Sequence, residues 1–270
     1  MLQSFPLVFR HYFMRTLKDP LSILIQIVFP LGIILTFILI QDNVGDDLLG
    51  FADVEIRGYS YLHTMAAVSM MLFFQLFGGM WGLTYLYEDL REARRFRLYF
   101  APINKAIYPV AAMMGSWFVS IVQGLLIVII TRIILNPYWA NMGIVILVLL
   151  GISLFSHFAF ALLFLVTKNL NQANAIGFAS VFAIGALSGA LIGDLRQHIN
   201  HRIIDFLFEW GTPISLGRRA IFESGFMDLN PFEVEADMTL AVRGVIILYV
   251  ITVILAVTVY FIADGQRHGD

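Results

Sequence analysis

Cysteine is missing from all 270 residues, so disulfides, thiolate metal sites and cysteine nucleophiles are excluded. Charge is scarce as well. Asp, Glu, Lys and Arg make up 13% of the chain against 59% hydrophobic residues, too little polar surface to clothe a soluble globule of this size. The three lysines, Lys18, Lys105 and Lys168, are none of them preceded by glycine, which rules out a phosphate-binding Gly-x-x-x-x-Gly-Lys loop and ATP hydrolysis by this chain itself. No Gly-x-Ser-x-Gly elbow is present, and no apolar stretch holds a pair of acidic residues; no catalytic residue is expected. His198 and His201 have a His-x-x-His spacing with no Glu beside them, so no metal site is expected either. Leu187-Ser188-Gly189-Ala190 imitates the start of an ATPase signature from inside an apolar run.

What the chain has instead is a series of windows free of Asp, Glu, Lys and Arg, at residues 20–41, 58–87, 106–131, 133–167, 169–193 and 244–263. Each holds the roughly 20 residues needed to cross ~30 Å of hydrocarbon. Asn136-Pro137-Tyr138-Trp139-Ala140-Asn141 reads as an interfacial turn inside the longest window, leaving one span after it. The fold class is therefore an all-α polytopic membrane protein with six transmembrane helices, near residues 20–41, 60–87, 106–131, 142–167, 171–193 and 243–263.

Residues 1–19 do not read as a cleavable signal, because Arg10, Arg15 and Lys18 are spread along a polar-apolar repeat instead of gathering ahead of a short apolar run. Leu2, Phe5, Val8, Phe9, Tyr12, Phe13 and Thr16 share one face of a helix. Such a basic amphipathic helix lies in the plane of the headgroups or packs on another protein.

The densest charge cluster runs from Tyr87 to Lys105. It cannot sit in hydrocarbon, where each Arg or Lys at mid-bilayer costs roughly 2.5–3.5 kcal/mol. As a helix over 88–101 it aligns Leu86, Leu90, Ala93, Phe96 and Phe100, a stripe suited to a protein groove, and Pro102 stops it. With both termini cytoplasmic, ten of the 17 Lys and Arg residues fall inside, the orientation that positive charge favours. The short acidic loop 41–57 is then outside, read as a solvated turn or a cation site. The long loop 194–241 is outside too. There Ile203, Phe206, Leu207 and Trp210 keep helical spacing until Gly211, and Thr212-Pro213 caps a second helix. The result is an extracellular helical hairpin over 194–230, between spans five and six.

Gly185, Gly189 and Gly193 repeat at steps of four in the fifth span, a pattern that lets two helix backbones approach closely, within the chain or at a subunit interface. Gln26, His63, Gln75, Gln123, Ser153, Ser156 and His157 are intramembrane polar residues. They either bond between helices or line a substrate path, and Gln26, Gln75, Gln123 and His157 are the candidates for the latter.

In order and spacing, the chain resembles the type-2 ATP-binding cassette (ABC) transporter permeases over nearly its whole length. The residues that carry the likeness are the amphipathic start, Lys18-Asp19-Pro20 with Pro30 following, the charged helix closed by Ala101-Pro102-Ile103, the Gly-rich fifth span and Thr212-Pro213. The resemblance implies a connecting helix at residues 1–19 (Arg10, Arg15, Lys18), followed by a six-span permease domain to residue 270. It also implies a coupling helix whose Glu88, Asp89, Arg91, Glu92, Arg94, Arg95 and Arg97 grip an ATPase. Ala93-Arg94 stands where the family usually has Gly-Thr. Two ATPase subunits would bind ATP and Mg, and this chain would bind no cofactor. A second permease, identical or related, would pair through spans one and five. Expected partners thus include the lipid bilayer but no nucleic acid, in the plasma (inner) membrane of a bacterium. The likeness is closest to the drug, lipid and peptide exporter branch, with a polysaccharide or glycolipid permease as the alternative. A non-transporting membrane anchor or immunity-type binding protein is the reading from a different class.

Overall fold

The structure, a computed structural model, describes residues 4–44, 55–56, 59–91, 107–139, 141–167, 169–191, 201–225 and 236–265. Among them everything regular is helical except a two-residue antiparallel ladder, β1 (Glu55–Ile56) with β2 (Tyr59–Ser60). Helix α1 (Ser4–Leu17) is followed two residues on by Asp19, whose backbone is extended (φ −84°, ψ 110°). The proline that follows disfavours helical geometry at this position. Asp19 Oδ1 then accepts the Leu21 N–H at 2.9 Å, and the chain restarts as α2 (Pro20–Ile23), a π-helical turn (Leu24–Val28) and α3 (Phe29–Val44). The π turn answers Pro30: with no N–H at that residue to reach Gln26, the ladder slips and Phe29 N–H bonds Leu24 O instead. The axis bends by 68° between Phe5–Leu17 and Pro20–Thr36.

The second span is broken. Helix α4 (Tyr61–Gln75) and helix α5 (Gly78–Arg91) are separated by a turn at Leu76 and Phe77. Three long helices follow: α6 (Ile107–Ile134), α7 (Met142–Thr167) and α8 (Leu170–Leu187). Then come the short α9 (Arg202–Phe206), a π turn (Leu207–Gly211), α10 (Pro213–Glu223) and α11 (Met238–Gly265). Five stretches are long and apolar enough to cross a membrane by themselves. The one from Pro20 makes a sixth when counted with α1 across the bend.

Burial identifies the centre of the bundle. The second span has 78% of its most apolar stretch buried, against 22% for α8 and for α11, so α4 and α5 form the axis and the last two spans its flank. Helix α1 is not left to the headgroups alone. Val8, Tyr12 and Thr16 are buried against α6, where a Cβ on Gly115 would stand 2.6 Å from Phe9 O and 2.9 Å from Tyr12 Cβ. Only glycine permits so close a crossing.

Two further elements differ from the sequence expectation. Helix α8 stops at Leu187, short of residue 193, because Gly189 takes a left-handed backbone (φ 72°). Its N–H bonds Ala186 O at 3.0 Å while Ala190 N–H bonds Gly185 O at 2.9 Å, the pattern of a glycine-terminated helix. Gly189 is thus the residue that terminates the helix. Helix α10 begins as expected, with the Thr212 hydroxyl accepting the Ser215 N–H at 3.0 Å and Pro213 in the first turn. It does not lie on the surface, however. A Cβ on Gly217 would meet Val148 and Ile152 of α7 at 2.7 Å, and Gly244 of α11 sits against Leu216 O, so α10 inserts between spans two, four and six.

Candidate functional site

Three arrangements stand out, and the first lies where α1, the end of α5 and the start of α6 meet. Arg15 donates to both Glu88 and Asp89, the Asp89 bond measuring 3.2 Å. Its guanidinium also stacks 4.4 Å over the Tyr85 ring. Asp89 is buried, and an ionised carboxylate only accepts, so the 3.2 Å contact with Tyr108 makes that hydroxyl the donor. Tyr12 then donates to Tyr108, also at 3.2 Å. Tyr85 in turn donates to Asp19, the residue that caps the first span. Burial, with Tyr108 and Asp89 nearby, pushes the Tyr12 phenol well above its ordinary range, which keeps it a donor. One polar clamp therefore ties α1, the 68° bend and the last turn of α5 together.

Of the residues expected to couple to an ATPase, Glu88, Asp89 and Arg91 fall in that last turn, since α5 continues unbroken from the span through Arg91. Glu92, Arg94, Arg95 and Arg97 lie outside the described residues. On α1, Arg15 points into the clamp, whereas Arg10, and Lys18 just beyond the helix, are exposed. Asp19, Tyr12, Tyr85 and Tyr108 belong to the site although the sequence reading gave them no role; the run Lys18-Asp19-Pro20 was the available signal for Asp19.

The second arrangement is a polar seam inside the bundle. Gln26, Gln75, Gln123 and His157 are all buried, at 0–3% exposure, so none opens to a path in this conformation. They are brought together nonetheless. Gln26 and Gln123 donate to the same Ser22 hydroxyl at 3.0 and 3.3 Å, Gln75 lies against Gly124, and the His157 ring lies against Gly78 and Gly82. The break in the second span sits on this seam. There the Ser156 hydroxyl donates to Leu76 O and accepts the Gly79 N–H at 3.0 Å, replacing the ladder bonds that the turn gives up. Gly79 itself packs backbone to backbone on α7, since a Cβ there would stand 2.4 Å from Ser156 O.

The third arrangement is aromatic. Phe73 and Phe77 meet Phe182 at 5.5 and 6.0 Å between centroids, and Phe77 meets Phe178 at 5.6 Å. Phe74 meets Phe29 of α3 at 6.0 Å. Phe29, Phe178 and Phe182 remain partly exposed, so spans one, two and five share a Phe-rich outer face. Gly185 belongs here: a Cβ on it would stand 2.7 Å from Phe73, which assigns its missing side chain to packing within the chain. Gly193 lies outside the described residues. Among the described residues no group of three His, Asp or Glu side chains is placed to hold a metal ion.

Such a bundle, with a surface helix clamped to the foot of a broken central span, defines a multi-pass helical membrane protein. The sequence model of the ABC-2 type transporter family matches residues 3–197, and the chain belongs to that family as a membrane permease component of an ABC transporter. No curated protein matches the chain.

Proposed function

We propose that this permease is the transmembrane subunit of an ATP-driven exporter that moves an apolar or amphipathic molecule, a drug, lipid or peptide, outward across the plasma membrane of a bacterium. Two copies of an ABC ATPase, binding ATP and Mg, dock from the cytoplasm on the charged segment 88–101 of two paired permeases, with both termini on that side. The observation that carries this reading is the clamp. Arg15 holds α1 to Glu88 and Asp89 in the helical turn that leads into the charged segment, so a pull on that segment reaches the bend at Asp19 and the second span together. The Phe-rich face shared by spans one, two and five supports an apolar cargo approaching from the bilayer.

ATP drives such a permease only if the ATPase binds its two states with different free energies. The charged segment is where that difference enters. Reversing Arg94 and Arg95 to Glu in the full chain, co-expressed with its ATPase, is expected to leave insertion intact and to uncouple ATP hydrolysis from export. Unchanged export in the double variant overturns the assignment, and a chain that never co-purifies with a nucleotide-hydrolysing subunit supports a membrane anchor instead.

A further inference from the structure

Among the buried polar atoms with no hydrogen-bond partner within the described residues, six lie close together on the first four spans: Gln26 Oε1, Gln75 Oε1, Ser120 Oγ, Gln123 Oε1, Ser153 Oγ and His157 Nε2. Gln26 and Gln123 share Ser22, and Gln123 precedes Gly124, where a Cβ would stand 2.5 Å from the Gln75 amide nitrogen. One turn on, a Cβ at Gly78 would stand 2.8 Å from Ser120 Oγ and 3.2 Å from the His157 ring. His157 Nδ1 in turn lies 2.8 Å from Ser153 O. The six atoms thus follow one seam from the first span to the fourth, with glycines, not methyl groups, facing it from α5 and α6.

The seam's own chemistry cannot close it. With Nδ1–H donating to the Ser153 carbonyl, His157 Nε2 is an acceptor, as are the three amide oxygens. Two serine hydroxyls are too few to serve four such acceptors. Reversing any of the glutamine amides exchanges an orphan acceptor for an orphan donor and leaves the deficit in place. A small ligand that both donates and accepts, and that finds two to four polar partners at each position, meets this demand, and water is that ligand.

We propose that the seam is an internal water-binding site built around the break in the second span. Its waters give the buried ends of Gln75, Ser120 and His157 exchangeable partners, so α5 changes its tilt below Leu76 and Phe77 without stranding polar groups in a dry core. No carboxylate, lysine or arginine is needed to hold them. The glycines at 78, 82 and 124 let Ser120, Met113 and Gln75 approach the backbones of α5 and α6 closely, which draws the polar atoms of spans two, three and four into one seam. The inference does not depend on the cargo or the direction of transport proposed above.

Pulsed X-ray hydroxyl labelling of the full chain in lipid nanodiscs, read by mass spectrometry, tests it. Radicals formed from a bound water mark the side chains next to it, and the seam is closed to bulk solvent. Normalised to the unfolded chain, His157 and Met113, the latter packed against Gly82, are expected to label severalfold more than Phe164, which is equally buried. The double variant Gln75→Leu, Gln123→Leu is expected to abolish that excess. Labelling of His157 and Met113 no greater than that of Phe164 in the unaltered chain overturns the proposal, whether or not the variant folds. Labelling or thermal stability that changes when sodium replaces potassium also overturns it, in favour of a cation site. Cryo-electron density within hydrogen-bond distance of His157 Nε2 and the glutamine carbonyls supports it, and direct glutamine-to-histidine pairing in that map refutes it.

Discussion

Replacing Ser156 by alanine isolates the bond that holds the second span's break. The hydroxyl serves two backbone groups, Leu76 O and Gly79 N–H, which the turn has removed from the helical ladder. In soluble proteins each buried group orphaned in this way costs about 1–3 kcal/mol, which would make the loss about 2–6 kcal/mol. Hydrogen bonds between membrane helices average only ~0.6 kcal/mol, because the unfolded chain in the bilayer finds other partners. The break tips the balance toward the larger figure, since these are backbone groups at a fixed turn and they re-pair only if α5 shifts register against the close contact at Gly79. A loss of about 2 kcal/mol is expected, roughly a thirtyfold drop in the folded-to-unfolded ratio. The control is Ser116→Ala, whose hydroxyl bonds only the carbonyls of Ala112 and Met113 in its own helix. Removing such a back-bond costs little, below about 0.5 kcal/mol. Denaturant titration of both variants in the same detergent compares them directly. Equal stabilities would refute the reasoning and show that the contact at Gly79 alone keeps the span broken.

Gly79→Ala puts a methyl into the backbone of α7 and is expected to cost about 3 kcal/mol or prevent folding. Gly32→Ala, with nothing within 4 Å, is expected to be neutral or stabilising by up to about 1 kcal/mol; thermal scans of both in nanodiscs make the comparison. Arg15→Ala removes the guanidinium that Glu88 and Asp89 share and leaves buried Asp89 to Tyr108 and to His11 at 3.8 Å. The expected cost is about 2 kcal/mol, under the range for fully buried pairs because Arg15 keeps 19% of its side chain exposed, and a double-mutant cycle with Asp89→Asn should recover part of it. Tyr12 binds its proton more tightly when folded. Its contribution to stability is therefore whole below about pH 10, the ordinary tyrosine value, and is lost as the pH rises beyond that. Tyr12→Phe should flatten this alkaline limb in thermal scans from about pH 8 to about pH 11.

The spans were legible because the bilayer excludes charge so strongly that uninterrupted apolar windows have one physical reading. The boundary between α1 and the first span was legible too, since the basic amphipathic repeat of residues 1–19 gives way at Pro20 to a window without charge. Breaks inside the apolar windows were not. The turn at Leu76 and Phe77 depends on Ser156 arriving from a helix eighty residues away, and no local signal distinguishes it from an intact span. Gly189 shows the same limit: spacing alone suggested a packing stripe, while backbone geometry makes it a stop. The seam was half visible, because Gln26, Gln75, Gln123 and His157 are conspicuous among apolar neighbours, but their enclosure follows from four helices closing around them. The clamp escaped the sequence reading for another reason, since tyrosines at a membrane edge are ordinary until Tyr85 is seen to reach Asp19 and Tyr108, with Tyr12 behind it, to reach Asp89.

Because Gly189 ends α8 so early, the fifth helix has 18 residues and reaches only about 27 Å at 1.5 Å per residue. The hydrocarbon layer is ~30 Å deep, so this helix has no length to spare, while the 28-residue α11 has ample room to lean. Lipid thickness thus acts on the protein chiefly through its fifth helix, and a thicker bilayer must either pinch around that helix or pull its glycine terminus inward.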